Sequence, residues 1–114
     1  MQYASLVTKR VTSYIRSMRI IAKKPLRVFW EKYPDARQPL MAWYEMAKTA
    51  GWRTPADMKA QIGTASLVGS NRVVFNIAGN KYRLVVAVNY RYQALYIRFV
   101  GTHRQYDQIN PAEV

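Results

Sequence analysis

The chain has 114 residues, of which 18 are Lys or Arg and six are Asp or Glu, so its formal net charge is +12 at pH 7. Half of the residues are hydrophobic, which is enough for one domain with a packed core and excludes a low-complexity disordered chain. The absence of cysteine excludes a disulfide framework, a thiol nucleophile and a thiolate metal site, and it fits a cytoplasmic protein. No apolar run reaches the roughly 18 residues of a membrane span, so we expect no membrane partner.

The charge is unevenly distributed along the chain. Residues 58–106 contain no Asp or Glu. They carry Lys59, Arg72, Lys81, Arg83, Arg91, Arg98 and Arg104. A field of one sign destabilises a small compact domain by self-repulsion, and it is typical of proteins that bind a polyanion. Nucleic acid is therefore the favoured partner, and a generally basic surface is the alternative.

The first 17 residues look like an appended segment. They contain no acid, and their apolar residues recur at helical spacing among Lys9, Arg10 and Arg16. Such a basic segment superficially resembles a transit peptide. We interpret residues 1–17 as a short N-terminal extension and Met18 as a second plausible start.

After a short β-like run at Arg19–Ala22, the pattern predicts three helices. The first begins at Lys24-Pro25, with proline in its first turn, and ends before Pro34. The second runs from about Pro39 to Ala50, where Gly51 ends it. The third is short and begins after Thr54, a candidate N-cap.

From Ser66 onward the period is that of β-strands. Runs rich in β-branched and aromatic residues predict strands at 72–77, 82–89 and 94–100. The turn at 78–80 contains Gly and Asn, and a second turn lies at 91–93. Short connections imply antiparallel neighbours, so we predict an α+β domain with its N-terminal helices packed on one face of a small antiparallel sheet.

Alternation along the strands separates two sets of side chains. One set is Tyr82, Leu84, Val86 and Val88, and the opposite set is Lys81, Arg83, Val85 and Ala87. If the first set meets the helices, Lys81 and Arg83 point toward an open, concave sheet face. Arg98, in the same alternation as Tyr96, and Asn76 join them from the neighbouring strands. These residues form a phosphate-binding face or are ordinary solvated polar side chains.

The types of residue present restrict the chemistry. The six acids form no cluster in the sequence that suggests a two-metal site, a single histidine without cysteine argues against zinc, and no Gly-rich phosphate loop precedes a helix. Metal-free RNA cleavage is compatible with these residue types. In that reaction the 2′-hydroxyl of the substrate is the nucleophile, so the protein needs neither a nucleophile of its own nor a metal. The protein then supplies a base, an acid and positive charge for the transition state. The groups available are Arg83, Arg98, Lys81, His103 and Tyr106, although a lone histidine such as His103 is more often structural.

Long stretches of the chain resemble one known family. NRVVFNIAGNKYRLVVAVNYRYQALYIRFVGTHRQYDQI, residues 71–109, closely resembles the HigB toxins of bacterial type II toxin–antitoxin systems. MRIIAKKPLRVFWEKYPDARQPLMAWYEMAK from Met18 and WRTPADMKA from Trp52 match the helical half of that family. The resemblance covers residues 18–114, which we take as one domain, and leaves residues 1–17 outside it.

The resemblance implies a RelE-like fold and an mRNA interferase that acts on messages at the 70S ribosome. It also implies a HigA-type helix-turn-helix antitoxin, with DNA contacted only through the toxin–antitoxin complex. Carried over by position, the basic strand residues of the family fall on Lys81, Arg83 and Arg98. Its THxxYD segment falls on Thr102, His103, Tyr106 and Asp107.

On this basis we expect Arg83 and Arg98 to bind the scissile phosphate, with assistance from Lys81. His103 and Tyr106 are the acid and base candidates, in either order, and no cofactor or metal is expected. The further RNA-binding candidates are Asn76, Arg72, Lys59, Arg91, Arg104 and Thr102. Two alternatives stay open: a non-catalytic inhibitor of DNA gyrase similar to ParE, and a plain RNA-binding protein.

Overall fold

A computed structural model describes residues 17–114 of the chain. Its strands are β1 (Arg19–Ile21), β2 (Ser66–Gly69), β3 (Arg72–Ile77), β4 (Tyr82–Asn89) and β5 (Ala94–Thr102). Its helices are α1 (Lys24–Lys32), α2 (Arg37–Ala50), α3 (Pro55–Gln61) and α4 (His103–Tyr106), and a 3-10 turn at Pro34–Ala36 joins α1 to α2. The predicted N-terminal extension lies, except for Ser17, outside the described residues.

Local sequence signals account for most helix ends. Gly51 ends α2 in the left-handed conformation, at φ 62°, as predicted. The Thr54 hydroxyl caps α3 by accepting a hydrogen bond from the Asp57 amide at 3.1 Å. Helix α2 begins two residues before the predicted Pro39, because the first turn of a helix needs no amide donor and so tolerates proline there. Within residues 17–114, none of the helices is long and apolar enough to cross a membrane.

The five strands form one sheet in the order β1-β5-β4-β3-β2. Pairing is antiparallel from β2 to β5, which confirms the predicted α+β class and the two predicted turns. Strand β1 is the exception, since it lies parallel to β5 with Ile20 opposite Leu95. The whole helical half separates these two strands in sequence, so no short turn constrains their direction.

The helices cover one face of the sheet. Tyr82, Leu84, Val86 and Val88 are buried on this face, as the alternation predicts. They belong to the same apolar cluster as Leu26 of α1 and as Leu40 and Trp43 of α2. This core fixes which side chains of β4 point away from the helices.

The second face of the sheet is not open, contrary to the prediction. Arg83 lies against the Tyr106 ring, and the Arg72 side chain donates from Nε to the Val114 carbonyl at 2.9 Å. Residues 107–114 therefore run along this face from the Arg83 end to the Arg72 end. Between these anchors Val74 and Val85 are buried, although they lie outside the helix-side core.

A β-bulge at Arg98 interrupts the alternation of β5. Val85 pairs with Phe99 and Val86 pairs with Ile97, so Arg98 has no partner on β4. Beyond the bulge Phe99 shares the face of Val85. The simple alternation that grouped Arg98 with Tyr96 is therefore wrong from this residue onward.

Candidate active site

Four of the predicted site residues meet at one end of the sheet, where β4 begins and β5 ends. The register places Tyr82 opposite Thr102 and Arg83 opposite Gly101. Helix α4 follows directly, and the His103 amide donates to the Lys81 carbonyl at 3.2 Å. The structure thus places Lys81, Arg83, His103 and Tyr106 on adjacent elements at this end of the sheet.

Arg83 is the buried cation of this cluster, with 8% of the residue exposed. Nη1 donates to the Asn80 carbonyl at 3.1 Å and to the Tyr82 carbonyl at 3.2 Å, and Nη2 donates to Asn80 Oδ1 at 3.1 Å. All three acceptors are neutral, and among residues 17–114 Arg83 forms no ion pair with a carboxylate. The Tyr106 ring centroid lies 6.0 Å from Cζ. A permanently charged guanidinium that is buried without a counter-charge is costly, so this site favours an anion.

The free donors of Arg83 have a geometry that suits phosphate. A guanidinium has five N–H groups, and the three bonds to Asn80 and Tyr82 are donated by Nη1 and Nη2. Nε makes no hydrogen bond within the described part of the chain. Nε and Nη2 lie along one edge of the planar fork, and such an edge matches two oxygens of a phosphate.

Helix α4 is a single turn that positions His103 and Tyr106. Thr102 and Gln105 close a capping box, in which the Gln105 amide donates to Thr102 Oγ1 at 3.1 Å and the Thr102 amide donates to Gln105 Oε1 at 2.8 Å. His103 Nδ1 lies 3.3 Å from Asp107 Oδ2, and the His103 side chain is half exposed. An imidazole that donates from Nδ1 to a carboxylate presents Nε2 to solvent, which is the geometry a proton-transfer group needs.

The Lys81 side chain does not lie on the same side of the sheet as that of Arg83, so the prediction that the two share a face is wrong. Strand β4 begins at Tyr82, and the alternation of a strand does not extend to Lys81 in the preceding turn. The Lys81 ammonium instead forms an ion pair with Asp35 of the 3-10 turn. The Tyr82 hydroxyl donates to the other oxygen of the same carboxylate.

Asp35 is the residue of this cluster that the sequence analysis missed, because Pro34-Asp35 was interpreted only as a helix end. The hydrogen bond from Lys81, followed by that from Tyr82, lowers the pKa of the Asp35 carboxyl below its usual value. Burial, and next the hydrogen bond to Asp35, raises the pKa of Tyr82 to about 12. Asp35 is therefore a carboxylate at neutral pH and Tyr82 a neutral phenol.

Three further RNA-binding candidates lie beside this cluster. Asn76 is exposed on β3 directly opposite Arg83. Thr102 caps α4, and Arg104 is exposed within it. Arg98 is also exposed. It lies three residues before Gly101, the residue opposite Arg83, and three residues correspond to about 10 Å along a strand.

The other three candidates lie elsewhere. Arg72 is bound to the Val114 and Ser70 carbonyls. Arg91 lies over Tyr92 in the turn at the far end of β4. Lys59 donates to two carbonyls just after α3. The structure does not bring these three side chains to the Arg83 cluster.

The donor set is that of an anion site. Within residues 17–114 no three His, Cys, Asp or Glu side chains lie close enough together to hold a metal ion. The guanidinium of Arg83 instead complements a negatively charged oxygen group such as a phosphate.

A small helix-covered antiparallel sheet with these cationic residues at one end places the protein among the RelE-like toxins. The chain belongs to the HigB toxin family, described as the RelE-like toxic component of a toxin–antitoxin system, whose model matches residues 36–109. Membership of this family implies an antitoxin as partner. The predicted resemblance is confirmed.

The matches to relatives named HigB cover most of both chains. The chain is 33% identical over 92 residues to the mRNA interferase toxin HigB of Escherichia coli K12, which covers 79% of this chain and 88% of that protein. The mRNA interferase HigB of Shigella flexneri matches to the same extent. The mRNA interferase HigB of Escherichia coli O6:H1 is 23% identical over 94 residues, covering 81% of this chain and 91% of the relative.

Proposed function

We propose that this protein is a metal-independent endoribonuclease that cleaves mRNA and thereby inhibits translation and growth. The observation that carries the proposal is Arg83, a buried guanidinium that has no carboxylate partner within residues 17–114 and lies against Tyr106, on the turn that also carries His103. The relatives named mRNA interferase support the same reaction and the same class of substrate.

The reaction transfers a phosphoryl group within the RNA. A base removes the 2′-hydroxyl proton, the O2′–P bond forms, the P–O5′ bond breaks, and an acid protonates the departing 5′ oxygen. Negative charge on the phosphorane-like transition state exceeds that of the substrate. The free edge of Arg83 stabilises this charge by two parallel hydrogen bonds, in a buried position where the electrostatic effect is strong.

His103 and Tyr106 are the proposed acid and base, because each carries a transferable proton and both lie on the turn that packs against Arg83. Asp107 orients the imidazole through Nδ1. Lys81 assists electrostatically from its ion pair with Asp35. Arg98, Asn76, Thr102 and Arg104 are proposed to contact the RNA on either side of the scissile phosphate. We assign no RNA contact to Arg72, Arg91 or Lys59.

We also propose the cellular setting. The toxin domain, residues 18–114, acts in the cytoplasm on messages held by the 70S ribosome, which aligns the 2′-hydroxyl with the phosphate. Its antitoxin is a HigA-type helix-turn-helix protein, and the toxin meets DNA only through that complex.

The test is expression of Arg83→Ala and His103→Ala, with growth and message integrity measured together. Arg91→Ala is the matched control, since it removes an arginine from the far end of β4. We expect the first two variants to lose toxicity and cleavage and the control to keep both. Full toxicity of both Arg83→Ala and His103→Ala would refute the site. Growth arrest with intact messages and inhibited supercoiling would favour the gyrase alternative.

A further inference from the structure

The helical side of the molecule carries a groove that the proposed reaction does not use. It has a volume of about 500 Å³ and lies between α1 and the end of β5. Val28, Phe29 and Val100 contribute apolar side chains to its lining, and Lys24 and Lys32 lie at its edges. We call this surface the α1 groove.

The composition of the α1 groove is unusual for a free surface. Val28 is 55% exposed, so a large aliphatic side chain stands in water within an already apolar depression. Lys24 and Lys32 are eight residues apart, about 12 Å along the helix, and neither forms an ion pair with another residue of the described chain. An apolar floor with a cation at each end complements a segment that is apolar on one side and acidic at its edges.

The chemistry of the floor distinguishes between a protein and an RNA occupant. Bases bind exposed aromatic rings. Two aromatic rings line the groove: Phe29 is only 9% exposed, and Tyr33, stacked on it at 4.7 Å, is half-buried, so neither ring is free on both faces. The most exposed apolar side chain of the groove is instead the aliphatic Val28. A second copy of this chain is a poor occupant, because both copies carry a net charge of +12.

We propose that the α1 groove binds an acidic, amphipathic helix of the antitoxin. The helix would place apolar side chains against Val28 and carboxylates near Lys24 and Lys32, the arrangement by which amphipathic helices enter grooves. The docking itself rests on the antitoxin that the family implies; only its effect on cleavage rests on the proposed function.

The groove is also connected to the active site. Gln105 lines it, and the same side chain closes the capping box of α4 through the Thr102 amide. An occupant of the groove therefore contacts the turn that carries His103 and Tyr106. This position lets the antitoxin act on the active site without entering it.

The experiment compares antitoxin affinity by calorimetry for the full-length toxin and its Val28→Glu variant, using the purified antitoxin of the same toxin–antitoxin system. We expect Val28→Glu to weaken binding by about tenfold or more, as for a central anchor of an interface. Arg27→Glu is the control, because Arg27 lies on the same helix outside the groove and its replacement changes the charge by more than Val28→Glu does. Exposed charges contribute little to an interaction, so we expect antitoxin affinity to change by less than about threefold.

Lys32→Glu is the second variant, which keeps the test decisive if Val28→Glu does not fold; it should also weaken binding. Cleavage of RNA by antitoxin-free toxin is measured in parallel. Unchanged antitoxin affinity in the folded groove variants would overturn the proposal, and a selective loss of cleavage in them would assign the groove to RNA. Because affinity is measured without any reaction, absence of cleavage by the wild type would contradict the proposed function and leave the docking result intact.

Discussion

Replacing Gly101 by alanine tests how tightly the active-site turn is packed against the sheet. Gly101 lies opposite Arg83 in the sheet. A Cβ at this position would stand 2.6 Å from Cζ of Phe99 and 2.8 Å from Oε1 of Gln105. Both distances are shorter than real contacts of a Cβ atom, so the Phe99 ring and the Gln105 side chain must both move.

The magnitude follows from these two displacements. Inserting a methyl group into packed structure typically costs about 1–3 kcal/mol. Moving Gln105 also removes the hydrogen bond that its Oε1 accepts from the Thr102 amide, a further loss of about 1 kcal/mol. We therefore expect Gly101→Ala to lower the free energy of unfolding by about 2–4 kcal/mol. It should also reduce cleavage, because α4 loses one of the two hydrogen bonds of its capping box.

The assay is urea unfolding of Gly101→Ala, with Gly63→Ala as the control. Nothing lies within 4 Å of a Cβ at Gly63, so this change should be neutral or slightly stabilising. Combining Gly101→Ala with Phe99→Leu should cost less than the sum of the two single changes, because the smaller side chain makes room. A loss below about 0.5 kcal/mol in Gly101→Ala, or strict additivity in the double variant, would refute the reasoning.

Three further predictions concern the charges around the site. Asp35→Asn should lower stability at pH 7. The pKa of Asp35 is lower in the folded chain than in the unfolded chain, so as the pH falls the unfolded chain takes up the proton first. The wild type therefore loses its advantage over the variant as the pH falls through the unfolded and then the folded pKa. A difference between the urea midpoints of wild type and variant that stays constant down to acid pH would contradict this. Burial raises the pKa of Tyr82 from 10.0 to about 12, so between these pH values the wild type should lose more stability than Tyr82→Phe, in which burial still raises the pKa of Tyr90; the difference is measured by unfolding on both sides of pH 10. Arg98→Ala should weaken RNA binding and reduce the slope of its salt dependence by about 1 without changing the unfolding midpoint, and an unchanged slope would remove Arg98 from the RNA contacts.

Features that depend on neighbouring residues were predicted well from the sequence. Pro25 in the first turn of α1, Thr54 as N-cap and Gly51 as C-cap each act within one helix end, and the structure places each as expected. The alternation Tyr82, Leu84, Val86, Val88 also predicted the core-facing side of β4. In these cases the physical cause lies within a few residues of its effect.

Features that depend on distant residues were not predictable in this way. The bulge at Arg98 changes the face of every later residue of β5, and nothing in the apolar pattern of that strand marks it. The parallel pairing of β1 with β5 depends on a long helical connection. The position of residues 107–114 over Val74 and Val85 depends on contacts with Arg72 and Arg83, both far away in sequence.

The candidate site shows the same difference between local features, which were predicted, and features that depend on distant residues, which were not. Arg83, His103 and Tyr106 lie at the same end of the sheet because β4 pairs with β5, the next strand in the chain, and α4 follows β5 directly. Lys81 was placed on the wrong face because its partner is Asp35, which lies 46 residues away. A single sequence gives no signal for that pair, since an exposed lysine and an exposed aspartate are common in any chain.

The most direct test of the central claim is the rate at which messages are cut after induction of wild-type toxin and of Arg83→Ala, with 5′ ends mapped on individual messages. Arg83 is buried and forms no ion pair within the described residues. We therefore predict a rate at least about 100-fold lower in Arg83→Ala, the usual effect of removing a group that stabilises a transition-state charge. The variant must remain folded, which its urea unfolding midpoint reports. Cuts at the same positions and the same rate in Arg83→Ala would contradict the account.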